Sequence, residues 1–419
     1  MNSLVARQPI LDLEKKTWGY ELLFRAGVAD TFASVGNTAT SGDHATLSVL
    51  GNTIASGLSR ISGGAKLLVN FTDELLLNGF ADLVPKEMVI IEVLENVEPT
   101  AEIVEACRAL KAKGYTLALD DFRYSPKMED LLPLADIVKV DFLQSNAEER
   151  REIAKNLLPR KIRLLAEKVE TRDDFNQARE LGYDYFQGYF FSKPQVMANH
   201  NLPTSIRSKT RLVQTLSSTE SEVGQVADTI KSDPALTLQL LRLLNSAYFS
   251  LPNKITDIRQ AITLLGFSNL RKWATILMIS GNMQGKPLEL LRQALFRAHF
   301  CELIATKEAK ALAKQDSFFF VGLFSLGDAL FDCQIGDMVR QLAFSSEIAK
   351  ALRSEADLAC PLSCTLRITK AVELGAWELV DMLKVQHGIS DASIVNAYNE
   401  AIAMTEKFTQ FHNEASHDV

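Results

Sequence analysis

Between Ser3 and about Ser192, short apolar runs suited to strands alternate with helical patterns. The strand candidates are Leu4–Gln8, Trp18–Phe24, Lys66–Asn70, Met88–Glu92, Thr116–Asp120, Ile137–Val140, Arg163–Ala166 and Tyr185–Gln187. Helical patterns such as Thr100–Lys113 and Arg172–Leu181 fall between them, the first ending in Lys-Gly, a usual C-terminal stop. This alternation implies a mainly parallel sheet. The count suits a closed barrel better than an open sheet, and on count alone the two stay alternatives. The first two candidates have no helix between them and are expected to pair antiparallel.

Acidic or amide residues stand at the ends of several of these runs. Asn70 closes Lys-Leu-Leu-Val-Asn, Glu92 closes Val-Ile-Ile-Glu, Asp120 and Asp121 close Thr-Leu-Ala-Leu-Asp-Asp, and Glu167 closes Leu-Leu-Ala-Glu. The strand ends of a β/α barrel all open on one mouth, so these side chains would converge. Clustered hard oxygen donors are what divalent-metal phosphoryl chemistry needs. Any one of them alone is an ordinary solvated rim residue; the argument lies in the ordered set.

The chain of 419 residues is long enough for two or three domains, and 47% hydrophobic and 23% charged residues describe an ordinary globular protein. A net charge of −7 argues against a nucleic-acid polymer as partner. Cys107, Cys301, Cys333, Cys360 and Cys364 form no disulfide framework and suit a reducing compartment. Cys360 and Cys364 lack a second Cys/His pair for zinc. The N-terminus is not a signal peptide, and no run approaches the roughly 20 apolar residues of a membrane span. The expectation is a cytoplasmic protein without membrane contact.

Residues 195–203 read as a linker, after which the strand signal disappears. Asp233-Pro234 is a helix start, followed by leucines at helical spacing. Thr256–Leu265 reads as a helix stopped by Gly266, and Ser268 caps the next. Helical patterns continue to about Phe408, leaving 409–419 as a polar tail. His299 reads as a packed or surface histidine without metal partners, and Phe318-Phe319-Phe320 as core.

Ordered motifs make the first half resemble an EAL domain, the cyclic-di-GMP phosphodiesterase family. They are Tyr20-Glu21-Leu22-Leu23-Phe24-Arg25, Val69-Asn70-Phe71, Ile91-Glu92-Val93-Leu94-Glu95, Leu119-Asp120-Asp121-Phe122, Val138-Lys139-Val140-Asp141, Ala166-Glu167-Lys168-Val169-Glu170 and Gln187-Gly188-Tyr189. The resemblance implies an α/β TIM-like barrel whose first strand is antiparallel, and a pair of Mg²⁺ or Mn²⁺ ions. Glu21, Asn70, Glu92 and Asp120 would ligate the first ion; Asp120 and Asp121 would hold the second. Glu167 would act on the attacking water, and Lys139 would orient it or offset phosphate charge. Arg25 would hold a phosphate oxygen, with Gln187 serving ligand or metal and Glu95 and Glu170 supporting. The product would be linear pGpG. Two departures stand out. The family's active members usually continue Gly-Thr-Gly-Tyr after Asp-Asp-Phe, where this chain has Arg123-Tyr124-Ser125-Pro126, and the glycine of Ala-Glu-Gly-Val-Glu is Lys168. Those glycines permit backbone shapes that side chains resist.

The second half resembles an HDOD domain, a helical relative of the HD phosphohydrolases. The segments that carry this are Leu202-Pro203, 230–236, 243–249 and 258–266. Where an HD enzyme would place its His-Asp pair, the chain has Ser325-Leu326, which cannot replace a metal-binding His-Asp dyad. His417-Asp418 is a pair in letters only. The expected organisation is a barrel domain over 1–194, a linker over 195–203, an all-α HDOD domain over 204–408 and the tail. The leading expectation is metal-dependent hydrolysis of cyclic-di-GMP in signal transduction, with the HDOD half contacting a protein partner and a homodimer open. Motility and biofilm control are expectations from the family alone. The alternative is an effector that binds the dinucleotide without hydrolysing it, or an interaction scaffold.

Overall fold

The computed structural model describes residues 5–24, 62–193, 207–217, 222–245, 254–307, 315–342, 344–353 and 360–417. Two compact units are present: Met1–Phe191 with Ala371–Asp381, and Ser192–Lys370 with Met382–Val419.

The first unit holds a closed barrel of β1 (Val5–Leu11), β2 (Thr17–Phe24), β3 (Lys66–Phe71), β4 (Val89–Val93), β5 (Thr116–Leu119), β6 (Ile137–Asp141), β7 (Arg163–Glu167) and β8 (Tyr185–Gln187), in that order. β1 runs antiparallel to both β2 and β8; every other neighbouring pair is parallel. The expected antiparallel start and the barrel are both present. Helices α1 (Asp73–Leu77), α2 (Ala101–Lys113), α3 (Ala147–Leu157) and α4 (Arg172–Glu180) form in the crossovers. Side-chain caps fix where all four begin, with Thr72 accepting from the Leu75 amide at the start of α1. Thr100 accepts from the Ile103 amide, and capping boxes start α3 (Asn146 with Glu149) and α4 (Thr171 with Asp174). Gly114, at φ 90°, ends α2 in the left-handed shape that glycine adopts freely.

Side chains alternate across a strand, so every second residue of each barrel strand points inward. Ile10, Leu68, Ile90, Ala118, Ile137, Leu165 and Tyr185 pack as one buried apolar layer, with Trp18 stacked 3.9 Å from Tyr185. Two residues further toward the C-terminal ends of the parallel strands the inward set is Asn70, Glu92, Asp120, Lys139, Glu167 and Gln187. Gln8 joins it from the antiparallel β1, register-paired with Glu21 on β2. The barrel is thus apolar in its middle and polar one layer higher, at the end where barrel active sites form.

The second unit is helical. A buried apolar cluster joins Leu212, Val226, Ile230, Leu236, Leu240 and Leu244 to Ile258, Ile262, Leu265, Leu270 and Trp273. The Asp233 carboxylate accepts from the Leu236 amide at 3.2 Å, opening Pro234–Leu244 as the sequence predicts. The stop at Gly266 is real: φ 72° and ψ 161° break the helical path between 258 and 280. The chain end differs from expectation. The last helix is Asp391–His417, so it runs through most of the predicted polar tail rather than ending near Phe408. Thr409 is fully buried and bonds back to the Thr405 carbonyl, anchoring that extension. The predicted linker over 195–203 lies outside the described residues. No described helix is long and apolar enough to cross a membrane.

Candidate active site

The polar layer centres on Lys139, whose side chain is 1% exposed. Its ammonium touches Glu92 and lies 2.8 Å from Asp120, 2.8 Å from Glu167 and 3.6 Å from Glu21. These carboxylates come from β2, β4, β7 and the end of β5, segments almost 150 residues apart in the chain. Asp120, Asp121 and Glu167 each offer an oxygen within 4.8 Å of the others. Gln187 donates to Glu21 at 2.5 Å and to Gln8 at 3.0 Å. Asn70 is register-paired with Glu92. A cavity of about 450 Å³ opens on this layer, lined in part by Glu21, Asp120, Asp121, Lys139, Glu167, Glu170 and Gln187. Glu95 is exposed beyond β4 and acts on Asp121 only through its charge. Arg25 lies outside the described residues.

Backbone bonds hold the strand ends in place. The amides of Asp120, Phe122, Phe142 and Val169 donate to the carbonyls of Val93, Lys139, Glu167 and Gln187, at 2.9–3.0 Å. Each ladder therefore extends to the site residues. Gly188 has to be glycine: a Cβ there would stand 2.3 Å from the Val169 carbonyl oxygen. Asp121 (φ 37°) and Lys168 (φ 51°) are non-glycine residues in the left-handed region, each directly after a site carboxylate. Backbone of this kind persists where the surroundings over-determine it.

The electrostatics are unbalanced. Five carboxylates (Glu21, Glu92, Asp120, Asp121 and Glu167) share the inner mouth with a single buried ammonium. Burial pushes the Glu92 carboxyl well up, only partly offset by Lys139. Burial likewise raises Glu167 to about 8, and the charges of Glu21 and Asp120 add to the rise. Asp121 is raised by burial and then by Asp120. Burial works against charge on Lys139, but Glu167, Glu21, Glu92 and Asp120 outweigh it and hold the ammonium well above its ordinary range. Asn70 Oδ1, Glu92 Oε2, Asp121 Oδ1 and Gln187 Oε1 are buried acceptors with no donor. Buried polar atoms are nearly always partnered. Acceptor-only oxygens clustered with surplus negative charge fit hard divalent cations.

Comparison with known sequences agrees with this geometry. The EAL domain model matches residues 5–194 and the HDOD domain model residues 202–361. The chain is 34% identical to the uncharacterized protein YuxH of Bacillus subtilis, over 90% of this chain and 92% of that one. It is also 34% identical to the cyclic di-GMP phosphodiesterase CdgJ of Vibrio cholerae, over 90% of this chain and 86% of the relative. This chain belongs to the EAL–HDOD family. Among solved structures, a c-di-GMP-bound standalone EAL protein from Vibrio cholerae O395 is 25% identical, covers 46% of this chain and 91% of its own, and has a TM-score of 0.36.

In this EAL–HDOD protein the loop that departs from the family pattern carries its own fastenings. Arg123 donates to Gln144 at 2.9 Å, Tyr124 bonds Glu129, and Arg160 holds the other Glu129 oxygen at 3.3 Å. Phe122 and Tyr124 meet edge to face at 6.4 Å. The sequence reading missed Gln8 and Asp141 as mouth residues. The inward period of two would have found Gln8, which sits two residues from Ile10. Asp141 is buried, accepts from the Leu143 and Gln144 amides and pairs with Lys168; no spacing in the sequence announces that pair. In the helical unit, Ser325 bonds the Gly322 carbonyl and accepts from Arg297. His299 packs edge-on to Phe319, and burial, then Lys272, lowers its pKa to about 4.

Proposed function

We propose that this chain hydrolyses cyclic-di-GMP to linear pGpG at the barrel mouth, in a reaction that requires Mg²⁺ or Mn²⁺. The observation that carries the reading is the set of donorless buried oxygens around the crowded carboxylates. The relationship to CdgJ supports the substrate.

In this reading Glu21, Asn70, Glu92 and Asp120 hold one cation, and Asp120 with Asp121 the other. The bound cations supply a nucleophile at neutral pH and neutralise the phosphodiester. Glu167 lies beside both groups and accepts the proton of the attacking water, the role its raised pKa suits. The water oxygen bonds to phosphorus as the bond to the ribose 3′ oxygen breaks, and that oxygen takes a proton from solvent to leave as the 3′ hydroxyl of pGpG. Lys139 holds Asp120 and Glu167 in position and offsets charge on the phosphate. Arg25 and Gln187 bind the ligand, Glu95 supports Asp121 and Glu170 the cavity wall. The barrel domain runs over 1–194 and the HDOD half from 204 through the last helix, apart from 371–381, which group with the barrel unit, and the HDOD half regulates by contacting a protein partner.

The test is direct. Purified full-length protein with Mg²⁺ or Mn²⁺ and cyclic-di-GMP is expected to release pGpG, and EDTA to stop it. Saturable binding with no release would select the second reading, an effector without turnover, which the replaced glycines at Arg123, Ser125 and Lys168 favour. No binding under any metal condition would remove both.

A further inference from the structure

We propose that Lys168 sets how tightly the Asp120–Asp121–Glu167 cluster holds its divalent cation, making that position the weaker of the two. The inference rests on the two-cation reading above and assigns to one side chain a role that the reading leaves open.

Lys168 directly follows Glu167, and its left-handed backbone is what a lysine replacing glycine has to adopt there. Its ammonium pairs with Asp141, and the residue lines the same cavity as Asp120, Asp121 and Glu167. Asp141 is itself anchored by the Leu143 and Gln144 amides, so the lysine is tied to a fixed point. The charge of Lys168 acts on Asp121 and on Glu167. Lys139 reaches carboxylates of both positions, touching Glu92 and lying 3.6 Å from Glu21 and 2.8 Å from Asp120 and from Glu167, whereas the charge of Lys168 falls on Asp121 and Glu167. The two positions therefore differ. At the Asp120–Asp121–Glu167 cluster a second, tethered positive charge, whose effect on Asp121 exceeds the opposing one of Asp141, already performs part of the neutralisation a metal would perform, and it repels an arriving cation. Coulomb interaction between a single and a double charge at a half-exposed site is large enough to shift affinity about tenfold.

The experiment is a Mn²⁺ titration of metal-stripped full-length protein, followed by calorimetry and by the electron paramagnetic resonance signal of free Mn²⁺. The wild type is expected to show a tight and a weak step. Lys168→Met keeps the aliphatic stem and removes the charge, and it is expected to tighten the weak step about five- to tenfold while moving the tight step less than twofold. Lys168→Arg, which keeps the charge, is expected to behave as wild type and also controls for folding. Asp121→Asn is expected to remove the weak step in both backgrounds. Two steps that stay where they were in Lys168→Met, or that move together, would overturn the role of Lys168 and leave the hydrolase reading standing. A wild-type chain that takes up no Mn²⁺ would overturn both.

Discussion

The barrel mouth and the interior of the helical unit both bury polar side chains, and they do so in opposite ways. At the mouth, carboxylates outnumber their cationic partner and acceptor oxygens stay without donors. In the helical unit, isolated buried atoms such as Gln239 Oε1 and Trp273 Nε1 are also without a bond, but the charged groups pair with one another rather than crowding with one sign. Ser325 is bonded to Gly322 and Arg297, Lys272 pairs with Glu302 and lies 3.3 Å from Asp316, and Lys286 reaches the Ala329 and Leu330 carbonyls. Among the described residues, the one group of three or more acidic, His or Cys side chains close enough to share a metal is at the mouth. A polar cluster that is incomplete by itself is built for something that arrives; a cluster that is complete is built for the fold.

The largest expected effect lies at the incomplete cluster. Glu92→Gln and Asp120→Asn should each lower pGpG release by more than about 100-fold, the upper range for outer partners of a metal site. Turnover assays at saturating Mn²⁺ check this. A loss under threefold in either variant would show that the crowding of carboxylates is structural and erase the distinction between the two regions.

Acid should probe the helical unit next. His299 is held neutral by burial, with a folded pKa near 4 against about 6.5 when unfolded. Between those values the unfolded chain binds a proton that the folded chain refuses, so stability falls as pH drops from 6.5 toward 4 and is unaffected above 6.5. The full loss is up to about 3 kcal/mol. Calorimetric unfolding of wild type and His299→Gln across pH 7 to 4.5 should show the slope in the first and its reduction in the second.

The mouth should respond to pH with the opposite sign. Glu167 has its pKa raised by burial to about 8, so in metal-free protein the folded state keeps a proton that the unfolded state has released. Stability then falls as pH rises from about 5 through 8. Glu167→Gln should flatten that fall, with a gain of roughly 2–4 °C in Tm at pH 8.5, about what 1 kcal/mol produces in a unit of this size. Mn²⁺ should remove the slope in wild type. A metal-free chain equally stable from pH 5 to 8.5 would mean that the surplus charge is already neutralised within the protein.

How much of this was legible in the sequence follows from the range of the interactions. Strand ends are local, and they delivered the strands, their antiparallel start and the convergence of Glu92, Asp120 and Glu167; closure into a barrel and the place of Glu21 came with the resemblance to the EAL domain. The break at Gly266 was legible because one left-handed residue suffices to make it. The pair of Lys168 with Asp141 joins the ends of neighbouring parallel strands across a whole crossover, and the Tyr124–Glu129–Arg160 fastening depends on a loop path that no periodicity encodes. The helix past Phe408 was missed for a different reason. Its residues read as polar, and the burial of Thr409 that anchors it is tertiary.

The smallest expected effect sharpens the comparison most. The resemblance to HD enzymes would put a metal-binding histidine at Ser325, and in this chain its hydroxyl gives to Gly322 and receives from Arg297. If that cluster serves only the fold, Ser325→Ala should cost about 1 kcal/mol, the usual net worth of one hydrogen bond with some penalty for the buried Arg297 donor. Turnover should stay within twofold of wild type, and so should Mn²⁺ binding. Denaturant midpoint, pGpG release and Mn²⁺ titration on the same protein preparation read the three quantities together. A variant as stable as wild type but unable to turn over substrate would place Ser325 in the working machinery, and its cluster in the helical unit would no longer serve the fold alone.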